Sequence, residues 1–130
     1  ERNALRVYGL DRIMGLEVID GKFKMPSGFD VDELFATSFG TYIPEGKAEL
    51  ITFRTTAKEA RFLRDLPLHT SQEELKSPDK EHVTFSIFVC PNESLIMEFC
   101  KHGSRLEVLS PESVRHEVAE QLRAAADLYK

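Results

Sequence analysis

Eight consecutive residues, His82 to Val89, alternate in a way that only a β-strand can use. Val83, Phe85, Ile87 and Val89 fall on one side of a two-residue repeat, and His82, Thr84, Ser86 and Phe88 on the other. A strand with one apolar face needs neighbours to hydrogen-bond and a layer to bury that face. The flanking sequence supplies both. Before it, Ile51 and Phe53 share one face of a strand expected at 48–54. Thr56-x-x-Glu59 forms a capping box, followed by Ala60, Leu63 and Leu66 at helical spacing and by Pro67 as a stop. Residues 70–76 read as a weaker, polar strand, and Pro78-Asp79-Lys80 as its turn. After it, Asn92 caps a helix with Leu95, Ile96, Phe99 and Cys100 on its apolar face, and Gly103 sits at the position of a C-terminal glycine cap. Leu106 to Leu109 is a short strand. Ser110-Pro111-Glu112 opens a last helix, with Ser110 as cap and Pro111 in the first turn. Its helical repeat is expected to run through Val114, Val118, Gln121 or Leu122, Ala125, and Leu128 or Tyr129.

From Lys47 onward the order is therefore β-α-β-β-α-β-α. The fold class is α+β, and the first six elements make a ferredoxin-like βαββαβ domain to which a C-terminal helix is added. Right-handed crossovers would put both inner helices on one sheet face, leaving the other for the hairpin upstream, the last helix or a second subunit.

Upstream of Lys47 the pattern is looser. Residues 5–8 and 13–19 read as two strands joined by a bend at Gly9 to Arg12 and ended by Asp20-Gly21. Two strands alone are marginal in water. Residues 27–46 form a connector containing a short helix capped by Asp30, with Phe29, Leu34, Phe35 and Phe39 stapling it to a neighbouring surface. The organisation expected is thus 1–26, an incomplete strand pair; 27–46, the connector; and 47–130, the α+β domain. The start at Glu1, without a methionine, reads as a cut or processed end.

Charge narrows the function. The net formal charge is −5, so no global field draws nucleic acid or anionic lipid. Residues 1–26 carry five basic and four acidic groups, whereas 27–46 carry four acidic groups and no Lys or Arg. Any anion site must be local. Two cysteines, Cys90 and Cys100, show no zinc spacing and read as reduced thiols of a cytoplasmic protein; a disulfide between them is compatible with the sequence but not required. No apolar run of membrane-spanning length occurs, and no membrane partner is expected. Neither a nucleophile paired with a base nor a phosphate-binding glycine loop is visible, so no catalytic residue, metal or cofactor is expected and the chain is not read as an enzyme.

Arg6, Tyr8 and Arg12 are the candidate binding residues. An Arg fork suits phosphate or carboxylate, and a neighbouring Tyr can stack on a base. The plainer alternative pairs Arg12 with Asp11 and packs Tyr8. His69, at a helix stop leading into an edge strand, either faces a pocket or ties down a turn. Phe62 and Phe88 lie off the main apolar faces, as a partner surface or as residues covered by the last helix.

Leu5-Arg6-Val7-Tyr8-Gly9-Leu10-Asp11-Arg12-Ile13, then Phe23, Pro26 and Phe29, resembles the end of a WYL domain. Arg61-x-Leu63, Leu66-Pro67-Leu68-His69, His102-Gly103 and Ser110-Pro111-Glu112 resemble the extension that follows it. The resemblance implies a bacterial transcriptional regulator, often dimeric. Such proteins carry a winged helix-turn-helix, an Sm/SH3-like WYL barrel that senses a ligand, and then this extension. It makes residues 1–26 the β-hairpin remnant of that barrel. It also implies a nucleic acid or nucleotide ligand, with Arg6 and Arg12 at the family's basic positions and Tyr8 at its aromatic one. The Trp-Tyr-Leu segment that names the family is absent, as is any Trp, so the sensing site would be incomplete and the strand edges open to pairing with another chain. A second reading is a stand-alone small-molecule-binding module with a pocket between the sheet and the last helix.

Overall fold

In the computed structural model, which describes residues 6–130, the expected element order from Lys47 is present. Strand β1 spans Glu49–Thr56, β2 Glu73–Leu75, β3 His82–Val89 and β4 Leu106–Ser110. Helix α1 spans Val31–Phe35, α2 Ala57–Asp65, α3 Glu93–Lys101 and α4 Glu112–Asp127. The strands form one sheet in the order β2-β3-β1-β4, every neighbouring pair antiparallel.

Alternation decides what the sheet buries. Ile51 and Phe53 of β1, Phe85, Ile87 and Val89 of β3, and Leu106 and Val108 of β4 point to one face and join a single core. Ala60 and Leu63 from α2, Leu95, Ile96 and Phe99 from α3, and Val114 and Val118 from α4 complete it. Phe53 stacks on Phe85 with ring centres 5.8 Å apart and meets Phe99 at 5.4 Å. Each side chain of this size, fully removed from water, contributes about 1.5–3 kcal/mol. All three helices therefore cover the same face. The opposite face holds Leu50, Thr52 and Arg54 beside Phe88, Ser86 and Thr84, and among the described residues no helix lies over it. Phe62 and Phe88 are both exposed, so the last helix covers neither.

Several local expectations need correction. The strand expected at 70–76 is only three residues long, because it is an edge that pairs with β3 alone. Leu66 was expected inward but is exposed: the helix ends at Asp65, and Leu66 is its C-cap. Ser110 does not cap α4. Its hydroxyl bonds that of Thr52 at 2.6 Å, and Pro111 takes the cap position without a side-chain hydrogen bond. Ala125, Leu128 and Tyr129 keep the helical spacing, yet they lie beyond the end of the core and remain exposed.

The largest correction concerns the N-terminal hairpin. Leu5 lies outside the described residues. Of the rest, neither 6–8 nor 13–19 forms a strand. A 3-10 turn at Leu10–Arg12 stands where the bend was expected, flanked by extended Gly9 and Ile13, and the described chain on either side forms no strand. Strand geometry is held by a ladder, and among the described residues no partner strand supplies one. Every described residue from Arg6 to Asp30 is exposed.

Candidate functional site

The candidate site is a cleft between three pieces of chain: residues 6–12, the connector at 38–45, and residues 90–101, which hold α3. The connector is fixed before any ligand is considered. Cys90 N–H donates to the Thr37 carbonyl at 2.8 Å, and the Asn92 side-chain amide donates to the Phe39 carbonyl at 2.9 Å. The same Asn92 accepts from Leu95 N–H through its other atom at 3.0 Å and so caps α3, as expected. Ser38, buried, donates to the Tyr42 carbonyl across a turn at Gly40, whose φ of +75° is left-handed and open to glycine. Phe39 packs against the core. Asp30 caps the short α1 through Asp32 N–H at 2.8 Å.

Arg6, Tyr8 and Arg12 all line this cleft. Arg12 lies 3.9 Å from Asp11, both side chains being largely exposed. Such a pair is worth about 0–1 kcal/mol and leaves the guanidinium accessible. Tyr8 is 76% exposed, so it does not pack. On the α3 wall, Lys101 pairs with Glu98 at 2.6 Å. The lining holds three cations, Arg6, Arg12 and Lys101, and four carboxylates, Asp11, Glu45, Glu93 and Glu98. The cleft is thus not a positive cradle. Its volume is about 1650 Å³.

His69 is not among the lining residues. Its Nδ1 accepts from Ser71 N–H at 3.1 Å and lies 2.7 Å from the Ser71 hydroxyl. Burial lowers its pKa, opposed by a hydrogen bond to the Ser38 backbone. The imidazole thereby ties the β2 turn to the connector.

Two clusters escaped the sequence. His102, buried, places Nδ1 2.8 Å from Glu59 Oε1, and Arg105 approaches the other Glu59 oxygen at 3.4 Å. His102 Nε2 is buried without a hydrogen bond, 3.6 Å from Glu98 Oε1. The capping box is therefore half formed: Thr56 accepts from Glu59 N–H, but the Glu59 carboxylate turns inward to His102. The second cluster crosses the open sheet face, where Glu107 binds Arg54 at 2.7 Å and Arg115 at 2.8 Å. Hydrogen bonds from Arg115 and Arg54 lower the Glu107 pKa against its partial burial. Cys90 and Cys100 are free thiols, and burial raises the pKa of Cys100. Among the described residues no helix is long and apolar enough to cross a membrane, and no group of three metal-ligating side chains gathers.

The WCX domain family, the extension that follows WYL domains, matches residues 47–126. This chain belongs to that family. The match covers the whole sheet, α2, α3 and all but the last residue of α4, so the WCX domain here is the core-bearing part of the molecule. Among solved structures, the proteasome accessory factor B/C (PafBC) of Arthrobacter aurescens is similar over 82% of this chain, with a TM-score of 0.54 and 19% identity. That similarity is one of fold. The aligned part is 16% of the PafBC chain. No curated protein matches.

Proposed function

We propose that this WCX chain is the ligand-sensing and dimerising portion of a bacterial, cytoplasmic, DNA-binding transcriptional regulator of the WYL family, without catalytic activity of its own. Family membership and the WYL-like order of Arg6, Tyr8 and Arg12 support it. The observation that carries it is the cleft, which these three residues line together with α3 of the WCX domain. A ligand held there touches both the WYL-like segment and the extension, which is what a sensor needs to convert occupancy into a change in their relation. The domain is ferredoxin-like in this reading. A fully antiparallel β2-β3-β1-β4 sheet, with both crossover helices on one face, supports that assignment.

The ligand class proposed is a nucleic acid or nucleotide. Titration of single-stranded DNA, RNA oligonucleotides and nucleotides against the full-length protein tests it. Arg6→Ala combined with Arg12→Ala is expected to weaken binding, and unchanged affinity would remove these residues from the site. The partner proposed is a second copy. Leu50, Phe88 and Leu109 on the open sheet face support this, together with the uncovered apolar residues of 13–25. Light scattering on the full-length protein is expected to give the mass of a dimer.

A further inference from the structure

We infer that Tyr42 is a second aromatic binding residue of the cleft, and that its ligand is a nucleotide unit held by ring stacking on Tyr8 and Tyr42 with one phosphate contact at Arg6. This rests on the nucleotide reading above and names how the same cleft carries it out.

The chain has three tyrosines, and two of them line the cleft. Tyr8 comes from the N-terminal segment and Tyr42 from the connector, and Tyr42 is 62% exposed. An exposed aromatic ring is an apolar face kept in water, and stacking a base on one is worth about 1–3 kcal/mol. The backbone around Tyr42 is held in advance. Its carbonyl accepts from buried Ser38, and the loop is pinned through Thr37 and Phe39 to Cys90 and Asn92. A ring presented from a fixed loop costs little ordering on binding.

Charge limits the phosphate part. Arg12 stands beside Asp11 and Lys101 is engaged by Glu98, while Arg6 makes no ion pair with another described residue. Glu45 and Glu93 add negative charge to the lining. A run of phosphates would meet more carboxylate than guanidinium here, so one phosphate is matched and several are not. The cleft, at about 1650 Å³, also exceeds the roughly 300–1,000 Å³ of pockets that enclose a small molecule. It suits a unit within a strand better than an enclosed free nucleotide.

The test is anisotropy of a labelled single-stranded oligothymidylate of about ten nucleotides, a length within known single-strand site sizes, titrated with the full-length protein. Thymidine monophosphate and inorganic phosphate serve as competitors. Tyr42→Ala is expected to weaken binding about 5- to 150-fold, the range that one lost base stack implies. Tyr42→Phe should retain affinity, since the ring and not the hydroxyl stacks. The slope of log affinity on log salt should lie near −0.7, the value for one phosphate on a single strand. Competition by the mononucleotide at least about tenfold weaker than by unlabelled oligonucleotide supports the strand as source; equal competition per nucleotide unit supports the free nucleotide. Tyr42→Ala binding within about twofold of wild type, while Arg6→Ala with Arg12→Ala loses binding, would overturn the role of Tyr42 and leave the nucleotide reading standing. A slope of several units, or competition by phosphate as strong as by nucleotide, overturns ring-led recognition. Absence of any binding by the wild-type protein removes both.

Discussion

Residues 13–25 and residues 82–89 both carry β-branched and aromatic side chains, yet only one of them is a strand. In β3 every second residue enters the core, and β1 and β2 hydrogen-bond its two edges. In 13–25 Met14, Leu16, Val18 and Phe23 face water, and among the described residues the backbone groups find no ladder. The side-chain chemistry is similar. What differs is the neighbour. Strand propensity describes a fit to a pleated, half-buried surface, so it has nothing to act on where that surface is missing.

The sharpest way to break this comparison is to truncate one phenylalanine in each region. Phe53→Ala is expected to cost about 3–5 kcal/mol of stability in a denaturant melt, because a fully buried ring leaves a cavity. Phe23→Ala should change stability by less than about 0.5 kcal/mol, as an uncovered surface residue does. An equal loss at Phe23 would show that the N-terminal segment is buried in solution, most directly by a second copy.

A smaller effect is expected at His102. His102→Ala leaves the Glu59 carboxylate inside the domain without its 2.8 Å partner, which costs about 1–3 kcal/mol. The loss should appear as a lower melting temperature, with amide exchange faster in α2 and α3 than in β3. A variant as stable as the wild type would mean that Glu59 is satisfied by Arg105 alone.

The smallest effect is set by pH. Arg115 and Arg54 hold the Glu107 pKa below its ordinary value of 4.5. A carboxylate lowered in the folded state adds stability that is complete above its unfolded pKa and is lost as pH falls through the folded one. The melting temperature should therefore drop as pH falls below about 4.5, and by less in Glu107→Gln. An identical acid profile in that variant would exclude Glu107 as a contributor. Asp79 and Glu74, lowered by backbone and Arg64 hydrogen bonds respectively, shift in the same direction and add to the acid loss.

How far the sequence could be read depends on how local the cause was. The caps at Thr56 and Asn92 were legible because partner and cap are three residues apart. The core face of β3 was legible because alternation needs only one strand. Glu59 was misread as serving its own helix, since its partner is 43 residues away and nothing in the local pattern points there. Ser110 fails as a cap for the same reason, with Thr52 58 residues away. Arg6, Tyr8 and Arg12 could be seen as a group, but not the wall they face. Tyr42 lies between Gly40 and Pro44, a turn signature that marks an aromatic on a loop. Its exposure, however, depends on Ser38 and Phe39 being docked, and that is settled by Asn92 and the core.

Asn92 spends both ends of one amide on different neighbours, one end on the start of α3 and the other on the connector. A protein trimmed at Lys47, where the family match begins, would keep the helix cap and lose the Phe39 carbonyl and the Thr37 carbonyl together. Each abandoned hydrogen bond is worth about 0.5–1.5 kcal/mol, and the patch of core under Phe39 would be laid open as well. For anyone expressing the WCX domain alone, the physical boundary therefore falls near Ala36, about ten residues upstream of where sequence similarity begins.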